Sequence, residues 1–194
     1  MERHQYIETS RGVLTTEGLT FYDAKHQYFY NGKELSGITG KIGKKLKKNF
    51  ESSFVEEGRS QGQHVHQSIE TFIKTGREVS IHPAVVWALK QIRACEAQGY
   101  SLFSEVLISD FSAFATAVDI LAVKAGSNEV ILFDTKAGVF NRPYVTLQLS
   151  IEKWMIEETT DFRVKSAYCI STRDKELYPV FFEDKKKARA VLYS

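Results

Sequence analysis

The sequence is poor in cysteine and proline, and it contains no long hydrophobic run. Its 194 residues include two cysteines, Cys95 and Cys169, which are far apart and lie among apolar residues. This spacing favours buried free thiols in a reducing compartment over a disulfide or a zinc site. No segment approaches the ~20 apolar residues of a membrane-spanning helix, and no apolar stretch follows the first residues. We therefore expect a cytoplasmic protein without a membrane partner.

A large net charge, internal repeats and flexible linkers are also absent. The net charge of +2 does not by itself indicate a nucleic-acid partner, and 43% hydrophobic with 26% charged residues is the composition of an ordinary globular protein. A chain of this length suits one domain with a sizeable core. We predict a single domain over residues 1–194, with residues 54–194 as its core and residues 1–50 as an appendage.

The first half of the chain predicts a hairpin followed by helices. Alternating aromatic residues around Asn31-Gly32 indicate a small β-hairpin meander over residues 20–35. Helical spacing of apolar residues predicts three helices, over residues 41–50, 54–75 and 83–99. In the last of these, Val86, Leu89 and Ile92 form the expected buried stripe.

The second half of the chain predicts most of the sheet. Strands are expected over residues 102–108, 113–123, 129–136, 164–171 and 177–182, and helices over 146–158 and 184–192. The order of these elements predicts a mixed α/β (α+β) fold, in which a central mixed β-sheet is flanked by helices.

The tripeptide Asp134-Thr135-Lys136 is the most informative motif of the sequence. It ends an apolar run, and Asp119 lies in the apolar run before it. Because side chains alternate along a strand, Asp134 and Lys136 project to the same side. Charged groups at the rim of a buried strand are costly to leave unpaired. A divalent cation held by the two carboxylates, with the lysine beside it, would account for all three charges.

The turn between these two strands predicts that the two aspartates face each other. A symmetric turn centred between Gly126 and Ser127 places Asp119 opposite Asp134, with their Cβ atoms ~5 Å apart. Such carboxylates raise each other's pKa unless a cation intervenes. Mg²⁺ or Mn²⁺ would polarise a phosphoryl oxygen and activate a water, and Lys136 would position that water or stabilise the developing charge. The alternative is an ion-pair cluster on the wet face of a sheet, and a slip of one residue in the turn would remove the opposition.

Three further polar residues are candidates for the same site. His66 lies one helical turn before Glu70, and it either completes a metal site or forms an ordinary pair with that glutamate. Glu105 alternates with apolar residues, which is most often the pattern of a side chain that faces solvent. Gln148 lies on the helix after the tripeptide, where it either reaches back to the strand end or is an ordinary polar helix residue.

In order along the chain, these motifs resemble those of the PD-(D/E)xK nuclease superfamily, in particular its RecB-type and phage-type exonuclease branch. The matching residues are Gly62 and His66 in a helix, Glu105 and Asp119 in successive strands, Asp134-Thr135-Lys136 at the end of the next strand, and Gln148 in the following helix. The motifs span residues 60–150. The resemblance implies a restriction-endonuclease-like core with an N-terminal hairpin and a basic helix.

The resemblance also implies the roles of these residues. It makes His66, Asp119 and Asp134 the ligands of Mg²⁺ or Mn²⁺ and Lys136 the catalytic lysine, while Glu105 and Gln148 support the catalytic site. His64 is an alternative to His66 that does not fit the family spacing. The implied activity is metal-dependent hydrolysis of DNA by an exonuclease of phage or bacterial recombination and repair. The implied partners are DNA, further copies of the chain, or a recombination or repair protein.

A run of lysines is the strongest charge feature of the sequence. Lys41, Lys44, Lys45, Lys47 and Lys48 lie within ten residues that contain no acid. A basic face beside an acidic metal site suits a phosphodiester backbone, which lysines bind without regard to sequence. A solvated helix face is the ordinary alternative, and a membrane-surface helix is a second one, for which the apolar stripe is short. With the tripeptide, the run favours nucleic acid.

The sequence therefore predicts an enzyme, and two other functions stay open. One is a protein that binds DNA or another protein on a nuclease-like fold without cleaving it. The other is a nuclease that acts on RNA.

Overall fold

The computed structural model describes residues 6–8, 14–22, 25–46 and 55–193. Within them the helices are α1 (Ile38–Lys45), α2 (Val55–Thr75), α3 (Pro83–Glu96), α4 (Arg142–Thr159) and α5 (Lys185–Leu192). The strands are β1 (Tyr6–Glu8), β2 (Leu14–Thr16), β3 (Leu19–Tyr22), β4 (Gln27–Tyr30), β5 (Lys33–Gly37), β6 (Tyr100–Ser109), β7 (Phe114–Lys124), β8 (Glu129–Lys136), β9 (Arg163–Ser171) and β10 (Glu176–Val180). The fold is mixed α/β, as the sequence predicts.

Eight of the strands form one mixed sheet in the order β10-β9-β8-β7-β5-β4-β3, with β6 paired to β7 as well. Three strands therefore share the two edges of β7. One edge is taken by β6, while the other is divided between β5, which pairs at Ala115, and β8, which pairs from Ile120 onward. Among the described residues, the stretch Thr116–Asp119 has no strand partner on that divided edge. This gap is where the candidate site forms.

Helices cover both faces of the sheet and bury separate apolar cores. On one face, α1, α4 and α5 pack around residues such as Ile42, Leu132 and Leu149, which are fully buried. On the other face, α2 and α3 pack against neighbouring strand residues such as Phe133. The alternation of Leu132 and Phe133 between the two cores is the period-two pattern of a strand that is buried on both sides.

Two predictions about local structure are wrong in detail. The buried stripe of α3 includes Val85, whereas Val86 is 49% exposed, because Val85 lies one helical turn before the buried Leu89 and shares its face. The helix after the tripeptide begins at Arg142 rather than at residue 146, because the Asn141 side chain accepts from the Tyr144 N–H as a cap. One difference concerns which residues of α3 are buried and the other where α4 begins, and neither changes the order of elements.

Part of the N-terminal segment belongs to the main sheet, while β1 and β2 form a separate two-stranded sheet. The meander of β3, β4 and β5 is present, and β5 pairs in parallel with the start of β7. The following helix α1 buries Ile38 and Ile42 completely in the larger core. The segment therefore forms one wall of the gap on β7.

No helix among the described residues is both long enough and apolar enough to span a membrane.

Candidate metal centre

The site forms where β7 and β8 separate. Four regular pairs, from Val123–Val130 to Ile120–Phe133, confirm the predicted register of these two strands. Regular pairing stops one step before Asp119 and Asp134. Beyond that point, the Thr135 N–H donates to Asp119 Oδ2 at 2.7 Å, so a side chain holds the strands together where the backbone ladder ends.

His66 extends to this site from α2, which packs on one face of the main sheet. Its Nε2 lies 2.8 Å from the carbonyl oxygen of Thr135. A carbonyl only accepts, so Nε2 carries the proton in the neutral ring and Nδ1 carries the lone pair. That Nδ1 lies 3.6 Å from Asp119 Oδ2. A lone pair and a carboxylate oxygen that face each other require a positive charge between them, which a proton or a cation supplies.

Glu105 is the third member of the cluster. The pairs on either side of it, Ser104–Ile120 and Val106–Val118, place it opposite Asp119 on the other edge of β7. Glu105 itself has φ +53°, a left-handed conformation that costs a glutamate of order 1–3 kcal/mol. Burial, then repulsion from Asp119, raise the pKa of Glu105 to about 7. A strained backbone thus holds a carboxylate next to a second carboxylate.

Asp134 and Lys136 form a separate pair beside this cluster. Asp134 is 1% exposed, and Lys136 Nζ donates to its Oδ1 at 2.7 Å. The thiol of Cys169, on β9, lies 3.8 Å from the other carboxylate oxygen. Burial raises the pKa of Asp134, and the Lys136 ammonium opposes this. The predicted pairing of Asp134 with Lys136 therefore exists, with the carboxylate fully buried and the lysine partly exposed.

Gln148 is buried on α4, with a neighbour that the sequence analysis did not single out. Its Nε2 donates to Glu152 Oε1 at 3.1 Å, one turn further along α4. Glu152 is 1% exposed, and burial, then repulsion from Asp134, raise its pKa well above the ordinary value. The signal was available, because Glu152 follows Gln148 by four residues and interrupts the apolar face of the helix.

The donor set fits a divalent cation. His66, Glu105 and Asp119 each offer one ligand atom, and these atoms lie within 4.8 Å of one another. Two ligands of one Mg²⁺ or Mn²⁺ at ~2.1 Å lie ~3–4 Å apart, which includes the 3.6 Å between His66 and Asp119. A cation would also remove the repulsion that raises the pKa of Glu105. Glu105 thus joins the predicted ligands His66 and Asp119, and Asp134 lies outside the three-residue cluster.

The remaining predicted residues lie elsewhere. The alternative histidine, His64, is exposed and contacts Ser80 Oγ at 3.0 Å. Glu70 does not pair with His66, because it pairs with Lys74 on the same helix. His66 and Glu105 thus lie together with Asp119 in a partly exposed cluster at the gap, and their role as metal ligands stays a prediction.

The lysine run is only partly described. Lys44 and Lys45 are exposed at the end of α1, where they also suit the helix dipole. Lys41 is partly buried and lies over the Phe114 ring at 5.6 Å. Lys47 and Lys48 lie outside the described residues.

Glu105→Gln should stabilise the metal-free protein at pH 8 and change it little at pH 4. The folded-state pKa of about 7 lies above the ordinary 4.5, so the folded state loses stability as pH rises from about 4.5 through 7. The amide removes that loss. Thermal unfolding without metal should show a melting temperature that is higher than wild type by a few degrees at pH 8.

The same thermal unfolding measurement is repeated with Mn²⁺. Mn²⁺ should raise the melting temperature of the wild type more at pH 8 than at pH 5, and it should raise that of Glu105→Gln less. Glu96→Gln changes an exposed glutamate at the end of α3 and serves as the matched control. If Glu105→Gln melts like the wild type at pH 8 and gains as much from Mn²⁺, Glu105 is not a ligand.

Comparison with known proteins adds no relative. No protein-family model matches the chain, and no curated protein is significantly similar to it.

Proposed function

We propose that this protein is a Mg²⁺- or Mn²⁺-dependent deoxyribonuclease. The observation that carries the proposal is the convergence of one imidazole and two carboxylates, from His66, Glu105 and Asp119, next to the buried pair of Asp134 and Lys136. The order of the motifs along the chain, which resembles that of the PD-(D/E)xK nucleases, supports the same conclusion. Imidazole among the donors favours Mn²⁺ over Mg²⁺, which prefers oxygen ligands.

The residues divide into two roles. His66, Glu105 and Asp119 would hold the cation, which when bound polarises a phosphoryl oxygen and lowers the pKa of a water. Lys136 supplies a fixed positive charge for the attacking water or for the charge that develops on the phosphate. Attraction from Asp134 and Asp119 outweighs the effect of burial on Lys136 and keeps its pKa above the ordinary value, so the ammonium stays charged.

Asp134 and Gln148 have supporting roles in the proposed site. Asp134 fixes the direction of the Lys136 side chain through its hydrogen bond. Gln148 is buried and donates to Glu152, so it lines the buried wall of the site on α4. We place the activity in the cytoplasm, where Cys95 and Cys169, both buried and free, would stay reduced.

A cleavage assay separates the enzyme from its alternatives. Linear double-stranded DNA, single-stranded DNA and RNA are each incubated with the purified protein in Mn²⁺ and then in EDTA. Loss of DNA that requires the metal supports the proposal. Tight retention of DNA without cleavage in either condition indicates a binding protein, and cleavage of RNA alone indicates a ribonuclease. Closed circular DNA in parallel distinguishes exonuclease from endonuclease action.

Replacing Lys44 and Lys45 together by alanine should weaken DNA binding and its dependence on salt. Each lysine that contacts a phosphate contributes about one unit to the slope of log affinity against log salt. The double variant should therefore lower that slope by about 2 if both lysines contact phosphate. Binding of a fluorescent duplex in EDTA over a series of salt concentrations measures the slope without cleavage.

The matched control is Lys90→Ala with Lys175→Ala. These lysines are exposed and lie with α3 and the β9–β10 turn, away from α1. DNA affinity should be unchanged in the control. An equal decrease in the slope of log affinity against log salt in both double variants would mean that the α1 lysines do not form a specific DNA-binding surface.

A further inference from the structure

An apolar depression on the outer side of α3 has no role in the proposed nuclease site. It has a volume of about 570 Å³ and is lined by Ile81, Pro83, Val86, Trp87, Lys90, Arg93 and Lys175. Ile81 is 96% exposed and Val86 is 49% exposed, and Val79 beside them is 56% exposed. Clusters of exposed aliphatic side chains are uncommon on a free surface and mark places where another molecule binds.

The rim of this α3 depression is basic. All three charged residues that line it are cations, Lys90, Arg93 and Lys175. Arg93 pairs with Glu78, while Lys90 and Lys175 are exposed and have no ion pair among the described residues. Trp87 also lines the depression. Tryptophan and arginine are the residues most enriched among those that dominate protein interfaces.

We propose that the α3 depression binds an acidic peptide segment of a partner protein, with one or two aliphatic or aromatic side chains of that segment seated against Ile81, Val86 and Trp87. Its carboxylates would lie on the rim, next to Lys90 and Lys175. This inference is independent of the proposed nuclease function, because no residue of the candidate metal centre takes part in it.

Two other occupants fit the surface less well. In a symmetric dimer the same patch contacts itself, so the rim lysines of one copy would face those of the other. Single-stranded nucleic acid requires exposed aromatic faces on which bases stack. Here the most exposed side chains are aliphatic, and the Trp87 ring is partly buried against the core below α3. An acidic segment with an apolar side chain matches both the apolar residues of the α3 depression and its basic rim.

Three blocked hexapeptides test the proposal on the full chain. The first has two leucines between two pairs of aspartates, the second has serines in place of the leucines, and the third has arginines in place of the aspartates. Trp154 is buried, so a change in tryptophan emission reports on Trp87. We expect the first peptide alone to shift the emission, with an affinity that falls as salt is added.

Charge reversal provides the variants. Lys90→Glu with Lys175→Glu should weaken binding of the first peptide at least tenfold, whereas Lys25→Glu with Lys186→Glu, at exposed lysines elsewhere, should leave it unchanged. Unfolding temperatures establish that both double variants fold.

Several results overturn the proposal. The proposal is wrong if all three peptides bind equally, or if the first peptide does not bind at millimolar concentration. It is also wrong if the double variant Lys90→Glu with Lys175→Glu binds the first peptide as tightly as the wild type. Self-association that Ile81→Ser abolishes would assign the surface to a second copy. A stronger emission shift with oligothymidylate or with anionic lipid vesicles than with the first peptide would assign it to nucleic acid or to a membrane.

Discussion

Asp119→Asn is expected to abolish metal-dependent DNA cleavage while the protein stays folded. Asp119 contributes a ligand atom to the cluster, and loss of even an outer partner of a metal ligand lowers activity ~10–100-fold. A ligand should matter more, so we expect a loss of at least ~10²-fold in the rate of DNA degradation in Mn²⁺. The asparagine keeps an acceptor oxygen for the Thr135 N–H, so the connection between β7 and β8 is preserved.

Two further measurements make this result specific. Calorimetric titration should show weaker Mn²⁺ binding to Asp119→Asn, and thermal unfolding without metal should show no loss of stability, because one of two repelling carboxylates is gone. Asp161→Asn changes an exposed aspartate and is the matched control. DNA degradation by Asp119→Asn at the wild-type rate would exclude a metal centre at the gap.

Lys136→Met is expected to remove cleavage and also to destabilise the protein. The substitution leaves Asp134, which is 1% exposed, without its ion-pair partner. Removing one member of a buried pair lowers the free energy of unfolding by ~3–5 kcal/mol. Chemical denaturation at pH 8 measures this change, and the DNA assay in Mn²⁺ measures the loss of activity.

The destabilisation should depend on pH with a definite sign. Burial already raises the pKa of Asp134, and loss of Lys136 removes the main opposing interaction. The folded-state pKa then lies further above the unfolded value of ~3.9, so the folded state retains a proton that the unfolded chain releases. Stability of the variant itself therefore falls as pH rises above ~4, by up to ~1.4 kcal/mol per pH unit until its folded pKa is passed, and the gap to the wild type opens above the folded-state pKa of Asp134 in the wild type.

A double substitution separates stability from catalysis. Asp134→Asn with Lys136→Met removes both charges, so it should recover most of the stability lost by Lys136→Met alone. Cleavage should stay absent, because the fixed positive charge is still missing. If the double variant regains activity together with stability, the single variant failed through unfolding. If Lys136→Met degrades DNA as fast as the wild type, the lysine has no catalytic role.

The register of β7 and β8 could be predicted from sequence because it depends on a short turn. Residues 125–128 connect the two strands, and a symmetric turn there determines every pair up to Ile120–Phe133. The burial of Asp134 and Lys136 on one side follows from the alternation of a strand. Local patterns of this kind need no knowledge of the rest of the chain.

The role of Glu105 could not be predicted in the same way. Period-two alternation predicts that an acid among apolar residues faces solvent. In the structure Glu105 has a left-handed backbone and lies opposite Asp119, where its carboxylate joins the three-residue cluster. A sequence pattern assumes regular backbone angles, so it cannot show where one residue departs from them.

Long-range pairing was the other missing information. β5 and β7 pair in parallel although 77 residues separate Gly37 from Ala115, and no turn signal relates them. The gap on β7 exists because β5 and β8 divide one edge. Periodicity identifies each strand correctly but says nothing about which strands become neighbours.

The divided edge of β7 has a consequence for how the protein can be shortened or redesigned. The N-terminal meander closes one end of the opening, where Tyr28 of β4 is buried in one apolar cluster with Ala115 of β7. The lysines of α1 follow directly in the chain. The α1 lysines and the strands that border the gap thus belong to one short stretch of polypeptide, so a truncation intended to remove only the lysines would also remove strands next to the candidate site.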